Sequence, residues 1–207
     1  MKLLFSSLFC FGLLFSVSST LAQKQGDSRV ALPALCKELL ERYARDQAIR
    51  NEMISKGVTK IDASVAARMN EIDSANTARM KEIVKQYGWP GPELVGVDGT
   101  EAAFMLVQHA EHQFQKEMLP LVEAAYRQKK LQGQDYALLL DRVLVAEGKP
   151  QVYGTQTKNF DKWNGHEPTF QPIEDEANVD KRRAEVGLFS MAEYRKLLRQ
   201  MYFPKDK

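Results

Sequence analysis

Apolar residues recur with helical spacing along most of this chain. From Pro33 to about Ser55, Leu35, Leu39 and Leu40 mark one face, Pro33 suits a first helical turn and Gly57 marks a stop. A second stripe, Val65, Met69, Ile72, Met80, Ile83, Val84 and Tyr87, predicts a long amphipathic helix from about Asp62 to Tyr87. Two such helices joined by a short turn predict an antiparallel hairpin over residues 31–87 that acts as a scaffold or packing arm. The texture then changes. Gly88 to Gly99 holds four Gly and two Pro in twelve residues, which predicts neither helix nor regular strand. It also carries Trp89, Leu94, Val95 and Val97, so the segment is expected to pack as an apolar loop.

Thr100 is placed to cap a third helix running to about Glu117, with Pro120 either kinking it or opening a continuation that ends near Gln132-Gly133. A fourth helix is expected from about Gln134 to Glu147, stopped by Gly148-Lys149-Pro150. Gln151 to Gln156 reads as a short strand, with Thr169 to Ile173 as its partner across a polar, aromatic loop holding Trp163 and His166. The chain closes on a helix behind the capping box Ser190-Met191-Ala192-Glu193. The expected fold is mainly α: an antiparallel helical hairpin, then a helical region over 88–207 with a small β-hairpin near the C-terminal third.

The N-terminus adds a separate expectation. Lys2, the apolar run Leu3 to Val17, and small residues at Thr20 and Ala22 read as a cleavable secretory signal over residues 1–22, leaving residues 23–207 as a single mature domain. The run is shorter than the roughly 20 residues a membrane span needs. An uncleaved anchor is the alternative, and no stable membrane insertion is expected after cleavage. Export to the periplasm or medium follows from this reading. Losing Lys2 leaves 29 − 1 = 28 basic against 27 acidic side chains, a net of +1. That balance argues against a nucleic-acid partner. Cys10 would leave with the signal, so Cys36 alone remains and no internal disulfide can form. Its helical surroundings favour a small buried hydrophobe, with an intermolecular bridge or reactive thiol as alternatives.

Candidate chemistry concentrates after residue 88. On the third helix, Ala103, Leu106, Val107, Ala110 and Phe114 centre the apolar stripe. His109 and Gln113 share one flank as an i,i+4 pair, Gln108 and Gln115 lie on the other, and His112 points to solvent. A half-buried histidine held by a neighbour is either a hydrogen-bonded structural residue or, with its pKa tuned by that setting, a candidate general base, and His109 is the one histidine so placed. His109-Ala110-Glu111-His112 lacks the spacing of either zincin motif, and neither a metal nor a cofactor is expected. Asp141-Arg142 interrupts an otherwise apolar fourth helix, as an ion-pair network or as an anion-recognising arginine. In the expected strand, period two puts Gln151, Tyr153 and Thr155 on one face and Val152, Gly154 and Gln156 on the other.

Taken in order, Gly88-Trp89-Pro90, Gln108-His109-Ala110, Asp141-Arg142-Val143, Gln151-x-Tyr153-Gly154-Thr155-Gln156 and Arg182-Arg183 before Gly187-Leu188 resemble a bacterial family of unknown function. The likeness covers roughly Tyr87 to Tyr194. It implies a shared constellation but no reaction, and an acidic residue would also suit the position of Gln113. The expectation is that Trp89, Gln108, His109, Gln113, Asp141, Arg142, Gln151, Tyr153 and Gln156 converge on one polar pocket. Three functions follow from it. The first is an exported binding or accessory protein for a small polar or anionic ligand. The second is a metal-independent hydrolase with His109 as base. The third is an interaction protein docking a protein partner through the 31–87 hairpin.

Overall fold

A computed structural model describes residues 30–56, 62–158 and 167–203. The expected signal over 1–22, the Gly57 stop, and Trp163 and His166 lie outside the described residues. The described chain is mainly helical. Its long helices are α1 (Pro33–Lys56), α2 (Ala63–Tyr87), α3 (Pro92–Gln108), α4 (His112–Arg127) and α5 (Gly133–Ala146). Two shorter ones follow, α6 (Val179–Glu185) after a 3₁₀ turn at Glu176–Asn178, and α7 (Met191–Tyr202). Among the described residues, no helix is long and apolar enough to cross a membrane.

Side-chain pairings fix the helix directions. Glu38 meets Arg79, Arg42 meets Asn76, Arg50 meets Asp73 and Glu52 meets Arg68, so α1 and α2 form an antiparallel hairpin. On the other face of α1, an ideal Cβ on Gly99 would lie 3.2 Å from the Cys36 sulfur, and Asp46 bonds His109. Both pairs are 63 residues apart, so α1 runs parallel to α3. Gly99 is needed at this crossing, because the same Cβ would sit 2.8 Å from that of Val95. Lys116 reaches Glu147 and Tyr126 stacks on Tyr136, which makes α4 and α5 antiparallel. The apolar faces of α1 to α5 close around Leu39, Met80, Ile83, Phe104, Phe114 and Leu139. Cys36 lies partly buried against this cluster. A second cluster, with Ile49, Met53, Val65, Leu198 and Tyr202, seats α7 against the end of α1 and the start of α2.

Three expectations need correction. The Gly-rich segment is helical from Pro92, which takes the first-turn position where its missing N–H is no loss. Gly96 interrupts that helix with φ +73°, and Thr100 bonds back to the carbonyls of Gly96 and Pro90 instead of capping. The next break falls at His109–Glu111, ahead of Pro120, which lies inside α4. The small β-hairpin does not form. Gln151 bridges Ile173 in the parallel sense and Thr157 bridges Phe170 in the antiparallel sense, each in isolation. The backbone N–H groups of Val152, Tyr153 and Thr155 all turn to the Asp141 carboxylate, and Gly154 sits at φ +69°. A ladder needs those donors, and here a buried anion takes them.

Candidate functional site

The break after α3 leaves His109 at the end of the helix, its N–H still bonded to Met105 and its side chain turned toward α1. Its Nδ1 lies 3.0 Å from both carboxylate oxygens of Asp46. Asp46 is wholly buried and also accepts bonds from Arg50 Nη1 at 2.6 Å and Gln47 Nε2 at 2.8 Å. Arg50 in turn grips both oxygens of Asp73 on α2, at 2.9 and 3.0 Å. The hairpin therefore supplies a His109–Asp46–Arg50–Asp73 chain that ties α3 to α1 and α2.

The charges follow from these contacts. Burial pulls the Asp46 carboxyl upward, but the bonds and charges of His109, Arg50 and Gln47 outweigh it and hold it below its ordinary value. Burial first, and then the nearby Arg50, push His109 down to about 4, with Asp46 opposing and Arg142 adding to the fall. At neutral pH the imidazole is thus uncharged. An ionised carboxylate can only accept, so the ring donates from Nδ1 and keeps its lone pair on Nε2. Among the described residues Nε2 has no hydrogen-bond partner, and it is not among the side-chain atoms sealed from water. Burial raises Asp73 to about 6, although Arg50 opposes the change.

Gln108 precedes His109 and is fully buried, and among the described residues neither its amide nitrogen nor its oxygen has a hydrogen-bond partner. A buried amide with both ends unmet costs a few kcal/mol unless water or a ligand satisfies it. Arg142 is buried on α5, close enough for its charge to act on His109. Of the expected site residues, Gln108 adjoins His109 in sequence and Arg142 lies near enough for its charge to act on His109.

The others go elsewhere. Gln113 is exposed and bonds Glu117, because the break at residues 109–111 resets the helical phase and cancels the i,i+4 pairing with His109. His112 is half-buried with Nδ1 sealed from water, not turned to solvent. Trp89 packs against the main core with its Nε1 buried and without a hydrogen-bond partner among the described residues. Asp141 accepts the N–H groups of Val152, Tyr153 and Thr155 and the Thr155 hydroxyl, at 2.7 to 3.2 Å. Burial still lifts its carboxyl above the ordinary value. The Gln151 amide donates to the carbonyls of Gln156 and Gln171 and accepts from the Gln156 N–H. Gln156 donates to Thr155 Oγ1. Gln151, Thr155 and Gln156 are all buried, so the expected division into two strand faces does not hold. Tyr153 sets its ring edge-on to Tyr136, and burial pushes its hydroxyl up to about 12. Arg182 and Arg183 hold the same loop through the carbonyls of Val152 and Tyr153. These motif residues spend their polar atoms on the loop itself.

Asp46, Arg50 and Asp73 were absent from the sequence reading, yet a signal was there. Asp46 and Arg50 continue the strip of Leu35 and Leu39 at i+7 and i+11 from Leu39, and Asp73 with Asn76 fills the gap between Ile72 and Met80. Charges inside an apolar stripe mark a buried polar contact. Among the described residues, no group of three or more His, Cys, Asp or Glu is placed to hold a metal ion.

A family of unknown function, DUF6624, matches residues 33–207. Comparison with curated proteins and with solved structures gave no match.

Proposed function

The chain belongs to this family of unknown function, and we propose that it is an exported binding protein that takes a small polar or anionic ligand at the His109 end of α3. One observation carries the reading: Asp46 fixes the imidazole through Nδ1 and leaves Nε2 without a hydrogen-bond partner among the described residues, and the next residue back, Gln108, has a buried amide that is likewise unbonded among them. A fixed ring, an amide that offers both a donor and an acceptor, and a nearby guanidinium form the short polar set that orients a small ligand. Arg50 and then Arg142 act against a proton on His109 and Asp46 acts for one, so the neutral ring is left as an acceptor.

The same geometry bears on the hydrolase reading. A general base works best when its pKa lies near the working pH. A histidine at about 4 is poorly matched to neutral pH, whereas its lone pair is a ready acceptor for a ligand N–H or O–H. Binding is therefore the reading we prefer.

The test is a nitrogen-detected NMR titration of the His109 ring against a panel of carboxylates, phosphates and short peptides. A binder is expected to move Nε2 and to raise the melting temperature of the wild type but not of Gln108→Leu. A panel that leaves Nε2 unmoved would overturn the proposal. Export has its own check. The mass of the protein recovered from its source should begin at Gln23, and an intact Met1 would refute the cleaved signal.

A further inference from the structure

Three tyrosines from separate parts of the chain meet where α4, α5 and the loop at 152–155 adjoin. The rings of Tyr126 on α4 and Tyr136 on α5 are stacked, 7° from parallel with centroids 5.1 Å apart. Tyr153 from the loop stands across Tyr136 at 72°, with centroids 6.5 Å apart. All three are half-buried, and Tyr136 is anchored against the main core. The chain closes tightly beside them. A Cβ on Gly133 would lie 2.8 Å from the Val186 carbonyl oxygen and 3.1 Å from the Tyr126 ring, so only glycine fits there.

The polar atoms of this group are unevenly committed. The Tyr153 N–H serves Asp141 and its carbonyl serves Arg183, so the loop has no backbone edge to offer a strand. The three hydroxyls have no hydrogen-bond partner among the described residues, and none is sealed from water. Phenylalanine would fill the same space, so tyrosine adds three open donors on fixed rings. The nearby charges are uneven too. Arg127, next to Tyr126, is paired with Glu123. Glu185 is exposed and has no partner among the described residues. It stands between Arg183, which holds the Tyr153 carbonyl, and Val186, which lies against Gly133 beside Tyr126. The aromatic group thus carries one uncompensated negative charge at its edge.

Independently of the His109 reading, we propose that this surface docks a proline-rich segment in the polyproline II conformation, with an arginine or lysine at its flank. Such a segment lacks N–H groups at its prolines and makes no internal hydrogen bonds, so its carbonyls need outside donors. Phenol hydroxyls on apolar rings supply donors and stacking surface together. A polyproline II helix is three-sided and advances about 9 Å per turn. One turn therefore lies along ring steps of 5.1 and 6.5 Å, and the angle at Tyr153 matches a ridged ligand better than a flat one. The basic residue then meets Glu185.

The test titrates the purified full chain with a capped hexaproline ending in arginine, read by calorimetry and by the tyrosine ring signals in NMR. The peptide is expected to bind and to move the signals of Tyr126, Tyr136 and Tyr153. Its counterpart with alanine for every proline should bind about tenfold more weakly, because it is not preorganised. Tyr153→Phe keeps the ring and should weaken the hexaproline peptide by about fivefold. Tyr126→Phe serves in its place if that variant fails to fold. Glu185→Gln should weaken the arginine peptide by about threefold and leave a glutamine-ended hexaproline unchanged. Ring signals unmoved by the arginine peptide, or equal binding of the alanine peptide, overturn the inference. Maltotriose that moves the rings while the peptide does not overturns it in favour of a sugar. None of these outcomes touches the His109 reading.

Discussion

Replacing Asp46 by asparagine removes a formal charge from a position with no solvent exposure. The shape is kept, so the loss is electrostatic. Arg50 would lose its 2.6 Å contact while retaining both oxygens of Asp73, and His109 would compete with Arg50 for one amide oxygen. One-sided removal of a buried ion pair costs about 3–5 kcal/mol. The surviving Asp73 contact and the remaining amide place Asp46→Asn at the lower end, about 3 kcal/mol. Urea unfolding at pH 7 reads this directly. With a slope of about 2 kcal/mol per molar, the midpoint should fall by about 1.5 M at unchanged slope. A second readout is independent of stability. Asp46 raises the pKa of His109, so its removal should send that pKa below the present value of about 4. A midpoint within 0.5 M of wild type, or a His109 pKa that rises, would refute the account of Asp46 as the group that holds both partners.

His109 also sets a pH dependence. Its folded pKa of about 4 lies below the ordinary 6.5, so its contribution is fully present above 6.5 and is lost as pH falls toward 4; His109→Phe should gain on wild type over that window, and parallel stability–pH curves would sink the assignment. Asp135 has the opposite sign: raised from 3.8 to about 7, it favours the folded state at low pH and loses that contribution as pH rises through 7. Asp135→Asn should therefore stabilise by about 1 kcal/mol at pH 8 and by little at pH 4, well under the full shift because the half-buried side chain still meets water; a loss at pH 8 in thermal melts would contradict it. Asp141→Ala should cost about 3 kcal/mol or more by urea unfolding, because three N–H groups lose a charged acceptor inside the protein. A cost under about 1 kcal/mol would show that the loop at 152–155 keeps its shape without Asp141.

Long-range register separates what could be read from the sequence from what could not. The α1–α2 hairpin was legible because Val65, Met80 and Ile83 repeat at helical spacing and are all buried. The capping box at Ser190 and Glu193 was legible because it is local, and both of its bonds form. The β-hairpin failed because period two describes a strand only while its N–H groups are free for a ladder. Asp141, eleven residues before Val152, takes them. Gln113 failed because an angular projection assumes an unbroken helix, and the helix breaks at His109–Glu111. In the candidate site, His109 stands out in the sequence as a histidine on the flank of an apolar helix. Its partner does not, since nothing local ties residue 46 to residue 109. A charge inside the stripe of Leu35, Leu39 and Ile49 says that Asp46 is buried against something polar, but only the offset between parallel helices says against what.

The parallel pairing of α1 with α3 has one more consequence. Asp46 and His109 meet across 63 residues of chain, so the fixed orientation of His109 belongs to the docked state and not to α3 alone. If α1 swings away, the ring loses its carboxylate and meets water, and its affinity for a proton returns toward that of a free histidine. Acid then draws the molecule toward the open form. Amide exchange in α1 and in the last turn of α3 should quicken together below neutrality, as the signature of one cooperative unit.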